Sequence, residues 1–422
     1  IHAAAGRERE RLGARTHELS ALLYVRSPAE LLPELRDLDA ALSDRADEHG
    51  VFARATHAFV LYQCGQPEEA LAVARGAVEA AEAFGVRREM LGPLAAEAGA
   101  LAELGCPEES IEVYRRALEI AEGHDQRLVP AIAGSIAVSL TALGSYAEAA
   151  AQARAAIAAA ERTGQRFPER WSQLVLGRAL CSLGEWDEAV TRIEAVKAHV
   201  PPFQIGMAVA PLVVIALARG EQERVRELVA EHDERCSDGG ASVFESDFRT
   251  LRGAVLEAAA RDDETLAQII PTAEVADYAE WSGWLAPVID MLVAGAATPP
   301  LQAALQALQG NGRMKRTGPV RAQAERLAAH LAHRAGSTEA ALEHWARAQE
   351  LARESGVPFD VAVIALERSE HEPGGGEGLL ADSVETFEKL RAQPWLSRAR
   401  QIRDRSAPAG DQLPGGLSSR TP

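Results

Sequence analysis

A chain of 422 residues with 47% hydrophobic and 25% charged side chains carries enough apolar surface to build a core, which excludes a disordered polymer. Its 44 Lys and Arg against 62 Asp and Glu give a formal net charge of -18, opposing sequence-independent attraction to nucleic acid or anionic lipid and pointing to protein partners. Single cores stop growing at about 250–300 residues, so this length favours repeats or several domains.

The chain opens Ile1-His2-Ala3, not with Met, and Gly6-Arg7-Glu8-Arg9-Glu10-Arg11 lacks the apolar stretch of a signal peptide, so an internal fragment of a longer protein is expected. Cys64, Cys106, Cys181 and Cys236 lie far apart with no C-x-x-C pair. That spacing predicts buried, reduced thiols and a cytoplasmic setting. Only Lys197, Lys315 and Lys389 are lysine, and Ala is abundant, a composition with strong helix propensity and no particular ligand.

A repeat appears when the chain is aligned on a glycine followed five residues later by a small residue. Gly65 pairs with Ala70, Gly105 with Ser110, Gly144 with Ala149, Gly184 with Ala189 and Gly336 with Ala341. The first four glycines recur at intervals of 40, 39 and 40, and Gly220 with Val225 continues the series. Such a period predicts a solenoid. In each unit a first helix ends at the glycine, which tolerates the left-handed conformation, and a polar turn such as Gln66-Pro67-Glu68-Glu69 starts the second. Leu61, Leu101, Leu140 and Leu180 stand four residues before the glycines, and Ala58, Ala98, Ala137 and Gly177 seven before, so each first helix presents a large and a small residue on one face. Ala77, Ala117, Ala156, Val196 and Ala348 provide small or modest residues on the second helices. The offsets resemble the tetratricopeptide pattern, with a period nearer 40 than 34 and with Leu or Ala at its aromatic positions. The fold class expected is all-α, an α-solenoid of TPR-like antiparallel helical hairpins.

The uncharged run Ile205 to Ala218 is too short to span a bilayer, which needs about 20 residues, and reads as a buried repeat helix. Arg261 with Asp262-Asp263-Glu264 falls where the next turn is due, the acids suiting a helix start. Beyond it the register is lost through Trp281-Ser-Gly-Trp284, Pro299-Pro300 and the loop Gln309 to Arg313. The organisation expected is TPR-like repeats over 1–260, an irregular helical segment with a basic loop over 261–320, C-terminal TPR-like repeats over 321–405 and a disordered tail over 406–422.

No phosphate-binding loop, nucleophile elbow, H-E-x-x-H pair or EF-hand loop occurs. Gly310-Asn-Gly-Arg-Met-Lys-Arg316 has the glycines and cations to cradle an anion, but a solvated inter-helix loop is the simpler reading. His330 and His333 share a helical face and His344 sits on the partner helix, so three imidazoles can converge on a metal; solvated histidines are the simpler reading. Trp281 and Trp284 can form a stacking platform, yet aromatic residues three apart on a helix more often fill a core. No catalytic, cofactor or metal residue is therefore assigned.

At the C-terminal end, Arg321-Ala-Gln323, Ala340 to Ala348, Glu354-Ser-Gly-Val-Pro-Phe359, Ala362-Val363 and Leu366-Glu367 resemble the last repeats of large bacterial signalling ATPases. The closing stretch, Leu379-Leu-Ala381, Phe387-Glu-Lys-Leu390 and Gln393-Pro-Trp-Leu-Ser-Arg398-Ala399, is similar to the ending of those with an N-terminal class III adenylate/guanylate cyclase domain. At Leu390-Arg391-Ala392 this chain has Arg where that likeness leads one to expect Gly. The resemblance implies a non-catalytic regulatory region downstream of a cyclase and a nucleotide-binding ATPase, in a parent that is itself an enzyme. Its partner is then a protein or peptide on the concave face, with the upstream domains as candidates, and no nucleic acid, membrane or cofactor is engaged directly. Related LuxR-type ATP-binding transcriptional regulators, which carry the same repeats, and a free-standing adaptor are the alternatives.

Overall fold

A computed structural model describes residues 2–23, 26–44, 47–85, 87–236, 246–260, 281–295, 298–309, 317–372 and 376–406. Within them there are twenty α-helices and no strand. They are α1 (His2–Leu22), α2 (Pro28–Leu42), α3 (Glu48–Gln63), α4 (Pro67–Phe84), α5 (Leu91–Glu103), α6 (Pro107–His124), α7 (Val129–Ala142), α8 (Tyr146–Thr163), α9 (Arg166–Ser182), α10 (Trp186–Lys197), α11 (Ile205–Arg219) and α12 (Gln222–Arg235). They continue with α13 (Ser246–Ala260), α14 (Leu285–Ala294), α15 (Thr298–Leu308), α16 (Gly318–Arg334), α17 (Thr338–Glu354), α18 (Pro358–Ser369), α19 (Glu377–Leu390) and α20 (Gln393–Ser406).

The repeat glycines make the hairpins. Gly65, Gly105, Gly144, Gly184, Gly220 and Gly336 all have φ between 67° and 82°, the left-handed region that only glycine adopts without strain. After each, the next amide reaches back five residues: Gln66 donates to the carbonyl of Leu61 at 3.0 Å, Cys106 to Leu101, Ser145 to Leu140, Glu185 to Leu180, Glu221 to Ala216 and Ser337 to Ala332 at 2.9 Å. This bond satisfies a carbonyl that the helix end leaves open and turns the chain antiparallel. Gly85, Gly164 and Gly356 adopt the same conformation midway between repeats, a second punctuation that the alignment on paired residues did not register.

The large-small pattern seats the helices. Ala58, Ala98 and Ala137 are wholly buried, and a Cβ on Gly177 would run into Ile193 of the partner helix. Consecutive helices pack as pairs, and the first helices α3 with α5 and α7 with α9 also touch, so the array is an α-solenoid of TPR-like hairpins. One apolar core extends from Val51 to Ile402, with a smaller cluster of Leu19, Leu31, Leu35, Leu38 and Val60 beneath α1 and α2. The uncharged run forms α11, buried all round as expected of an apolar helix without a polar face. Among the described residues no helix is long and apolar enough to cross a membrane.

The array does not stay an open ribbon. The turn glycines Gly144, Gly184 and Gly220 lie against Pro319, Pro358 and Pro394, the prolines that begin α16, α18 and α20. A Cβ at each of these glycines would stand 2.8 Å from the facing proline ring. The partners are 175, 174 and 174 residues apart in sequence, so the chain returns to its own flank at a constant interval, as successive turns of one superhelix do. Contact between distant repeats is what a solenoid with nearest-neighbour packing lacks.

Two expectations are corrected. All four cysteines are free thiols, but only Cys181 is fully buried, because Cys64 and Cys236 stand at helix C-termini and Cys106 at the N-terminus of α6, where the chain turns. Trp281 and Trp284 bracket a single 3-10 turn instead of lying three apart on an α-helix, although both fill the core as the simpler reading held. The acidic stretch Asp262-Asp263-Glu264, the loop Gly310 to Arg316 and the tail beyond Ser406 lie outside the described residues.

Candidate functional site

Where the two superhelical turns meet, they form a partly open cavity of about 610 Å³. One wall is the turn edge of the middle repeats, and the other is built from the 3-10 turn Ser282–Trp284, α14 and the starts of α16, α18 and α20. It therefore sits on the edge formed by hairpin turns, and not on a groove lined by first helices alone.

Each wall residue is fixed by the element that ends or begins there. Trp186, the first residue of α10, donates its Nε1–H to the carbonyl of Cys181 at 2.9 Å, and its ring meets Phe359 of α18 at 5.1 Å. Phe359 packs edge-on to Trp395 of α20 at 6.0 Å. Trp281, 0% exposed, donates to Oγ of Ser182 at 2.9 Å, and the hydroxyls of Tyr146 and Ser282 bond each other at 2.9 Å. Burial pushes the phenol of Tyr146 up to about 12 and the thiol of Cys181 further above its ordinary range, so both are neutral and unreactive near neutral pH. Arg219 fastens the outer rim, donating to the carbonyl of Leu390 at 3.2 Å and to Asp187 at 2.7 Å while its guanidinium lies over Trp186.

Beneath the aromatic wall is a buried ionic cluster. Arg326 and Glu367, each 1% exposed, form a two-pronged bond at 2.5 and 2.8 Å. Oδ1 of Asp290 stands 2.7 Å from the same guanidinium, off the axis of a proper hydrogen bond. Gln323 donates to Asp360 at 2.8 Å, and His330 reaches Glu367 at 3.1 Å. Burial opposes ionisation of Glu367, but Arg326 and then His330 overcome it and hold the carboxyl well below the usual range. Burial wins at the cavity face: it raises Asp290 despite Arg326, and pushes Asp360 up to about 6 against the Gln323 bond and the Arg326 charge. The arrangement is chemically suited to binding, because aromatic rings and two carboxyls whose ionisation burial opposes share one cavity.

The histidines do not converge. His330 turns to Glu367, His333 stacks on His371 at 3.9 Å, and His344 faces away to Glu325 at 2.6 Å. His330 is also largely buried, with 12% side-chain exposure, because Trp345 packs edge-on against it, Nδ1 of His333 is buried, and His344 is only part-exposed, so the solvated reading is corrected for all three. Among the described residues no group of His, Cys, Asp and Glu is disposed to hold a metal. Sequence inspection passed over Asp290, Asp360 and Arg326; the signal available was a charge inside an otherwise apolar helical face, as at Asp290 in Leu285–Ala294.

No protein-family model and no curated protein matches the chain. Among solved structures it is similar to a Rap protein complexed with competence and sporulation factor, at 13% identity over 82% of this chain and 99% of that one, with a TM-score of 0.48. A human IFIT1 dimer with PPP-AAAA is similar at 11% identity over 93% and 94% of the two chains, with a TM-score of 0.45. The TPR domain of P58(IPK) is similar at 11% identity over 95% and 99%, with a TM-score of 0.23. At such values the helical-repeat fold rests on this chain's own turns and packing, and no ligand is carried across.

Proposed function

We propose that this chain is a non-catalytic helical-repeat scaffold that senses an effector in the cavity between its superhelical turns. One observation carries the reading: the walls of a single cavity come from segments about 174 residues apart, so whatever fills it acts on the contact between the turns. A ligand that binds only the closed arrangement shifts the chain towards it by its differential affinity.

In this proposal the scaffold is the regulatory region of a multidomain signalling ATPase of the cyclase-bearing kind. Support comes from position. Some of the residues that resemble those proteins, Gln323, Phe359, Pro394 and Trp395, line the cavity, and Glu367 pairs with Arg326 beneath it. The test uses the full-length parent: limited proteolysis and solution scattering with and without nucleotide, and with and without a cavity ligand. Protection of the α18–α20 segment and a more compact particle in one state are expected. An array with the same cleavage pattern and scattering curve in every state sinks the relay.

A further inference from the structure

We infer that the cavity between the turns takes an organic cation, a protonated amine or guanidinium on an apolar body, with the carboxylate of Asp360 as its counter-ion; this rests on the cavity being the effector site. The walls supply the apolar half. Trp186, Trp281, Phe359 and Trp395 line the space, and its volume lies within the roughly 300–1,000 Å³ typical of small-ligand pockets.

The charge balance supplies the other half. Among the described residues Arg326 is the one guanidinium paired with Asp290 and Glu367, and Asp360 makes a third carboxyl in the cluster. The charge of Arg398 also reaches Asp290 and Glu367, but Arg398 is itself paired with Glu370, so even with His330 protonated four carboxylates face three cations. Asp290 keeps 21% side-chain exposure while lining the cavity, and Asp360 lines it beside Gln323. Among the described residues, the other cations beside these walls are turned elsewhere. Arg178, Arg219 and Arg398 lie over Trp281, Trp186 and Trp395 at 5.4, 5.7 and 5.7 Å, and none of the three lines the cavity. Arg226 does line it, but with 70% exposure and an ion pair to Glu223 it belongs to the solvent rim.

An anion would meet two carboxylates and no free donor of charge in such a space. A neutral apolar ligand would strip water from those carboxylates without replacing it, which disfavours its binding. A cation on an aromatic or aliphatic body satisfies both requirements, since aromatic faces attract it and a carboxylate neutralises it. The elevated titration of Asp360 agrees, since burial there outweighs the Gln323 bond and the charge of Arg326. The groups facing it are Gln323, Arg326 and Asp290, with Tyr146 and Cys181 across the cavity, both neutral near pH 7.

The test is calorimetry and tryptophan emission on the full chain with three probes: phenethylammonium, an acetylated and amidated Phe-Arg dipeptide, and the neutral isostere 2-phenylethanol. At least one cationic probe is expected to bind roughly tenfold or more tightly than the alcohol, the size of a charge-assisted hydrogen bond. That preference should fade as the pH falls through about 6, and it should vanish in Asp360→Asn, which can still accept from Gln323. Tighter binding of the dipeptide assigns the cation to a peptide side chain, and tighter binding of phenethylammonium to a free amine. Equal binding of the alcohol, or an unchanged preference in Asp360→Asn with helicity intact, overturns the ligand class and leaves the cavity as an effector site. If no probe binds, both readings fall.

Discussion

Gly184 and Pro358 touch across 174 residues of sequence: a Cβ on the glycine would lie 2.8 Å from Cγ of the proline, and φ of Gly184 is 75°. The same glycine thus closes a hairpin and forms the seat on which the next superhelical turn rests.

Gly184→Ala is expected to cost more than Gly65→Ala. Both positions share a left-handed backbone, for which Ala loses about 1–2 kcal/mol, but a Cβ on Gly65 meets nothing within 4 Å. The crowding at Pro358 adds about 1–3 kcal/mol. Hydrogen exchange should show the excess as faster exchange in α18 and α20 for Gly184→Ala alone. Equal profiles for the two variants would refute contact between the turns.

Arg391 is the one non-glycine residue with positive φ among the described residues, at 59°, and it occupies the position where the family likeness leads one to expect Gly. Arg391→Gly should relieve about 1 kcal/mol of backbone strain. It also removes an exposed ion pair to Asp187, of the class worth about 0–1 kcal/mol, while Asp187 keeps Arg219. A small net stabilisation is expected, larger at high salt, where the ion pair is screened. Urea unfolding at two salt concentrations measures it, and a loss of stability at high salt would contradict the strain argument.

Arg326→Met leaves Glu367 and Asp290 buried without their cation, a change of the class that costs about 3–5 kcal/mol. Glu367 is depressed in the folded state, so its contribution is present above the ordinary carboxyl value of 4.5 and is lost as the pH falls below it. The gap between wild type and variant should therefore narrow in acid. Chemical unfolding at neutral and acidic pH checks this, and a gap independent of pH would show that the cluster is packing rather than charge.

Asp360 has the opposite sign. Its folded carboxyl titrates at about 6 against 3.8 for the free group, so the folded state holds the proton more tightly and stability falls as pH rises between those values. The cost above pH 6 is on the order of 3 kcal/mol for a shift of about two units. Asp360→Asn should be more stable than wild type at neutral pH and lack that slope. Thermal melts across the range decide, with a less stable variant at neutral pH as the contrary result.

The hairpins were legible because they obey local rules. Gly65, Gly105, Gly144 and Gly184 announce themselves by spacing, and Ala58 or Leu61 by their place before the turn, since a helix end needs a left-handed residue and a close helix crossing needs a small one. The intermediate glycines Gly85, Gly164 and Gly356 follow the same rule, but without a paired small residue they gave no periodic signal. The histidines illustrate the converse. A shared face placed His330 and His333 together, while His371 joined His333 only through the packing of α18 on its neighbours.

The cavity had no local signature. Asp290, Asp360 and Trp186 belong to three hairpins, and nothing near them in sequence states that they line one space. Sequence alone determined the unit and its turn, because both depend on contacts within some forty residues. How the units curl, that Gly144, Gly184 and Gly220 meet prolines about 174 residues on, and that carboxyls become buried between them, was decided by tertiary structure. Small rotations at each helix crossing accumulate along the array, and only their sum brings the two turns together.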